Sequence, residues 1–68
     1  MSADEQVRRA VELDDLNSLR RLAAAGNPAA TEALVEIAGE RGDIAELQRL
    51  AATGNAHATE LLTDLTDD

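Results

Sequence analysis

Sixty-eight residues allow a single domain near the lower size limit for a self-sufficient core. There is no cysteine, which excludes disulfides and thiolate metal sites, and no aromatic residue, which excludes stacking platforms for bases, sugars or flat cofactors. Fourteen acids against six basic residues give a formal charge of −8, so the chain lacks the basic patch that binding free nucleic acid requires.

Taken in order, the chain reads as five short helices, near residues 3–13, 15–25, 28–40, 43–53 and 56–66. The first carries Val7, Ala10 and Val11 at helical spacing and opens on a Ser2/Glu5 capping box. The second carries Leu16, Leu19, Leu22 and Ala23. Asp14-Asp15 marks the corner before it, the one junction without a glycine. Gly26-Asn27 closes the second helix and caps the third, with Pro28 at the first helical position, where its missing N–H costs nothing. Ala30, Ala33, Leu34, Ile37 and Ala38 form the third apolar face. Gly42-Asp43 begins the fourth helix, with Glu46 three residues on as a second capping box, followed by Ile44, Leu47, Leu50 and Ala51. Gly54-Asn55 begins the fifth, which carries Ala58, Leu61, Leu62 and Leu65. No period-2 pattern of β-branched residues occurs, so the fold class is all-α.

A repeat of 28 residues underlies this order. Placing 15–38 on 43–66 matches 12 of 24 positions, where composition alone gives roughly two or three. Asp15/Asp43, Leu19/Leu47, Arg21/Arg49, Leu22/Leu50, Gly26/Gly54, Asn27/Asn55, Ala30/Ala58, Glu32/Glu60 and Leu34/Leu62 are among the identities. The first helix falls in the register of the third, with Asp4, Val7, Ala10 and Glu12 on Glu32, Val35, Ala38 and Glu40. The expected organisation is one domain, 1–68: an orphan helix over 1–14, one repeat over 15–42 and a second over 43–68. Short connections make neighbouring helices antiparallel, and the expected architecture is a small α-solenoid of about two and a half repeats.

The pattern Leu47-x-x-Leu50-Ala51-x-x-Gly54-Asn55-x-x-Ala58 resembles the helix–turn–helix repeats of the tetratricopeptide and Sel1-like superfamily. The corner Ala38-Gly39-Glu40-Arg41-Gly42-Asp43 is similar to the inter-helix turns of those repeats. The resemblance covers about residues 15–66. The period is shorter than the ~34 residues of a tetratricopeptide, and that family's aromatic positions are absent. The resemblance implies a scaffold that binds peptides or proteins without catalysis.

Two charged sets repeat without an evident packing duty. Glu32, Glu36 and Glu40 lie at i, i+4 and i+8, and the repeat carries them onto Glu60, Asp64 and Asp68. They form either a solvated face or an acidic docking stripe for a basic partner. Their spacing on one helix does not converge ligands as calcium or magnesium requires. Arg21 and Arg49 are the matching cations, with Arg20 beside the first, and bridges to acids of an adjacent helix are the expected use. His57 is the single histidine, too few for a zinc shell, and the repeat places Ala29 at its position. No activated nucleophile is evident: Ser2 and Ser18 fall at cap or surface positions, and lysine and tyrosine are absent.

The expected function is a non-enzymatic protein-interaction module with an acidic helical surface, with no cofactor or metal. Its partner is another protein with a basic surface; Glu32, Glu36, Glu40, Glu60, Asp64, Arg20, Arg21 and Arg49 are the binding candidates. The alternative is a self-assembly element that dimerises through Leu61, Leu62 and Leu65 of the last helix. A third reading is an acidic inhibitor that mimics nucleic-acid charge. All basic residues are Arg, a pattern of GC-rich coding that points to a bacterial source and also fits a halophile. With no signal-peptide segment and no apolar run of bilayer length, a cytoplasmic location without membrane association is expected.

Overall fold

The computed structural model describes residues 2–67, and among them every regular element is α-helical. The helices are α1 (Ala3–Glu12), α2 (Leu16–Ala24), α3 (Pro28–Arg41), α4 (Ile44–Ala52) and α5 (Ala56–Thr66). The five expected segments each hold one helix, trimmed at the ends where a residue turns out to be a cap. Leu13, Ala25 and Thr53 are C-caps, and Asp15 and Asp43 are N-caps.

One corner geometry recurs four times. Asp14, Gly26, Gly42 and Gly54 all adopt positive φ, at 56°, 98°, 65° and 94°. Each donates its N–H three residues back, to Val11, Ala23, Gly39 and Ala51. The next residue donates five back, Asp15 to Ala10, Asn27 to Leu22, Asp43 to Ala38 and Asn55 to Leu50. These paired bonds satisfy carbonyls that a helix end leaves open. The second residue then turns donor into acceptor. Asp15, Asn27, Asp43 and Asn55 take the N–H of Ser18, Ala30, Glu46 and Ala58 on their side-chain oxygens, at 2.9–3.2 Å. Two residues thus end one helix and begin the next.

Asp14 explains how the first corner manages without glycine. It stands 28 positions before Gly42 and takes the same left-handed backbone, a conformation that Asp tolerates better than most side chains.

Contacts divide the chain into two compact units, Met1–Leu34 and Val35–Asp68, with α3 running across the division. In the first, α1 packs on α2 around buried Val7, Ala10, Leu19, Ala30 and Leu34. In the second, α4 packs on α5 around buried Val35, Ala38, Leu47, Leu50 and Ala58. Val7/Val35, Ala10/Ala38, Leu19/Leu47 and Ala30/Ala58 are each 28 apart, so the two cores share one register. Small residues let helices approach closely where large side chains are few. At Gly39 a Cβ would stand 2.9 Å from Leu61 Cδ1, so the bare glycine accepts that leucine against the α3 backbone.

A Cβ added at Gly42 meets nothing within 4 Å, so Gly42→Ala reports the backbone cost alone. The expected loss is about 1–2 kcal/mol. Asp14→Gly at the equivalent corner is expected to shift stability the opposite way, by less than about 1 kcal/mol. Urea midpoints of the two variants test the pair, and a Gly42→Ala midpoint equal to that of the parent contradicts the corner account.

Candidate functional site

Helix α3 has almost no amphipathic contrast because it is covered on most sides. From Ala29 to Glu40 its exposed residues are Ala29, Glu32, Glu36 and Glu40; every other one is buried or half-buried. The narrow open face of α3 is therefore the acidic stripe read in the sequence. On α5, Glu60 and Asp64 are likewise exposed. Asp68, the third acid of that set, lies outside the described residues.

Of the leucines on α5, Leu61 and Leu62 are half-buried, and Leu65 is 45% exposed. Leu61 is partly occupied by its seat on Gly39.

The arginines part company. Arg20 is half-buried and donates to Asn17 Oδ1 at 3.4 Å, one helical turn earlier. Arg49 bridges within its own helix rather than to an adjacent one: Nη2 lies 3.4 Å from Glu46 Oε2. That partner donates its backbone N–H to the N-cap Asp43, and its side chain is only 7% exposed. The i, i+3 spacing places both on one side of α4, and the buried carboxylate is held by a guanidinium whose far side remains in water.

Arg21, the repeat mate of Arg49, has Ser18 where Arg49 has Glu46. Ser18 Oγ donates to Asp15 Oδ2 at 2.6 Å, and Ser18 N donates to Asp15 Oδ1 at 3.1 Å. Position 18 therefore presents no carboxylate to Arg21. An open cleft of about 440 Å³ lies here between α1 and α2. Gln6, Arg9, Leu13, Ser18, Arg21 and Leu22 line most of it. Arg9 is the residue that sequence reasoning missed. It falls in the last turn of α1; the unequal pair Ser18 and Glu46, 28 residues apart, marks the place on α2 but not the arginine across from it.

No group of three or more His, Cys, Asp or Glu residues is placed to hold a metal ion among the described residues. His57, in the first turn of α5, is half-buried. No described helix is long and apolar enough to cross a membrane.

No family model matches the chain, and neither the curated proteins nor the solved structures contain a match to it.

Asp15 is held below the ordinary carboxyl value of 3.8, first by the Ser18 hydroxyl, then by the Ser18 N–H, with the Arg21 charge adding a smaller pull. A depressed folded value means that Asp15 stabilises the fold fully above the ordinary range, and that this contribution is lost as pH falls through the folded value. Ser18→Ala removes the largest cause and is expected to move the Asp15 titration, followed by carboxyl NMR, up toward 3.8. An unmoved titration contradicts the assignment.

Proposed function

We propose that this chain is a non-enzymatic protein-interaction module whose binding face is the acidic stripe, with Glu36, Glu40, Glu60 and Asp64 at its centre and Glu32 at its edge. It is read as a short helical repeat akin to the tetratricopeptide and Sel1-like superfamily, stacked in the manner of an α-solenoid. The partner is a protein with a basic surface.

The observation that carries this reading is the open face of α3. Between the end residues Pro28 and Arg41, which are themselves exposed, α3 leaves only Ala29, Glu32, Glu36 and Glu40 to solvent, and three of these four are glutamates one turn apart. Like charges at i, i+4 destabilise a helix by about 0.2–0.5 kcal/mol per pair. A small domain with a thin core rarely carries more than about 3–5 kcal/mol in total, so the stripe is an appreciable cost. A repeat that preserves Glu32 as Glu60 and Glu36 as an acid at Asp64 keeps that cost twice. Mixed charges give the same solubility without the repulsion. A run of one sign steers and registers an opposite charge.

The self-assembly reading has less exposed apolar surface to draw on. Leu65 is the exposed one of the three α5 leucines, and a stable dimer requires a much broader apolar patch.

An arginine-rich peptide titrated into the full chain tests the stripe. Glu36→Gln, Glu40→Gln and Glu60→Gln together are expected to weaken binding about tenfold or more. Three other exposed acids, outside α3 and the Glu60/Asp64 pair and changed by Asp4→Asn, Glu12→Gln and Asp67→Asn, serve as the charge-matched control. Equal weakening by both sets leaves only net charge and removes the stripe as a site. Glu36→Gln alone is also expected to raise the thermal midpoint slightly, by relieving two like-charge pairs worth a few tenths of a kcal/mol each.

A further inference from the structure

The two units follow one register, so each residue lining the α1/α2 cleft has a counterpart 28 positions on. Asp15 corresponds to Asp43, Ser18 to Glu46, Arg21 to Arg49 and Leu22 to Leu50. In the second unit a carboxylate, that of Glu46, is buried at this place and sits 3.4 Å from the Arg49 guanidinium. Leu50 beside it is buried as well. In the first unit the carboxylate is missing. Ser18 is short and neutral, its hydroxyl is committed to Asp15, Leu22 is only half-buried, and the cleft stands open.

The cleft is equipped for the group that is missing. Arg21 keeps the position of Arg49, and Arg9 adds a second guanidinium to the lining. Among the described residues neither side chain forms an ion pair within 4.0 Å. Guanidinium groups bind carboxylates through short charge-assisted hydrogen bonds with two donors in one plane. Leu13, 68% exposed, and Leu22 form an apolar wall beside them.

We propose that the α1/α2 cleft receives a glutamate side chain of a partner protein, carried beside an aliphatic residue. That carboxylate takes the place which Glu46 fills in the second unit. Asp15 also lines the cleft, and this selects the ligand charge. A dianion meets repulsion there, whereas a single carboxylate beside an N-cap aspartate is the arrangement that Asp43 and Glu46 already show. The charge of −8 on the whole chain disfavours a polyacidic segment, so the glutamate comes with apolar neighbours and the wall of Leu13 and Leu22 is the surface for them. This site uses none of the residues of the acidic stripe and goes beyond that reading.

The test is an NMR titration of the full chain with acetyl-Glu-Leu-amide, followed on the arginine side-chain N–H signals. Acetyl-Gln-Leu-amide, acetate and inorganic phosphate are the comparison ligands. The Glu peptide is expected to shift Arg9 and Arg21 and to bind about tenfold more tightly than the Gln peptide, the loss that follows when a charged hydrogen-bond acceptor becomes neutral. Ser18→Glu supplies the missing carboxylate from within, so it is expected to abolish peptide binding and raise the thermal midpoint together. Arg21→Gln is expected to abolish binding with the helical spectrum unchanged. Glu46→Ser opens the equivalent place in the second unit, where the Glu peptide is then expected to shift Arg49. Should that variant fail to fold, Ser18→Glu and Arg21→Gln carry the test by themselves. Equal binding of the Glu and Gln peptides overturns the proposal, as does undiminished binding to Ser18→Glu. Acetate or phosphate binding as tightly as the Glu peptide also overturns it, because the apolar wall then contributes nothing.

Discussion

Everything in this fold depends on a corner two residues long. A left-handed residue closes one helix by returning its N–H to a carbonyl three residues earlier, and its neighbour reaches five residues back. That neighbour is an Asp or Asn, and its side chain then accepts the first free N–H groups of the next helix. A helix end otherwise leaves four unsatisfied backbone groups on each side of the break. With helices of only nine to fourteen residues, such ends make up a large share of the backbone. Isolated helices this short are marginal in water, so corner and packing stand or fall together.

The core that these corners assemble is thin. Leu19, Val35 and Leu47 are the largest fully buried side chains, and much of the remainder is alanine. Close approach compensates for small volume. Alanine at 10, 30, 38 and 58 and glycine at 39 bring helix surfaces together where bulkier residues would hold them apart. Truncation of one buried leucine costs about 2–5 kcal/mol in proteins generally, comparable to the whole stability expected of a chain this size. Core positions therefore recur identically in the two units, as Leu19 and Leu47 do. The polar positions beside them are free to diverge, as Ser18 and Glu46 have.

That divergence separates a filled place from an open one. On α4 Glu46 and Arg49 bridge within one turn, whereas on α2 the corresponding arginine has beside it a serine already bound to its own N-cap. Residue types alone make pairing with an acid on an adjacent helix the expected use of both Arg21 and Arg49. Arg21 forms no ion pair within 4.0 Å among the described residues, and the partner of Arg49 is Glu46. That acid lies one turn earlier on the same helix, where the i, i+3 spacing brings the two side chains to one side of α4. The contribution of Arg9 was not legible in the sequence. Its neighbour Arg8 makes better i, i+4 spacing with Asp4 and Glu12, and nothing local tells which of two adjacent arginines turns toward α2.

By itself the sequence determined the helices, their caps and the register of the repeat. These are local matters: a left-handed residue, an Asp or Asn after it, and apolar residues three and four apart act over one or two turns. Even the missing glycine at Asp14 is answered within the chain, since its mate 28 residues on is Gly42. Only the tertiary structure decided which charged residues are covered and which remain open. Between Thr31 and Glu40, Glu32, Glu36 and Glu40 became the exposed line of α3 because the other residues of that stretch are buried or half-buried. The α1/α2 cleft exists because two elements meet around a serine where the second unit has a glutamate. Burial and the shape of empty space arise from the meeting of surfaces, and no single segment of chain carries them.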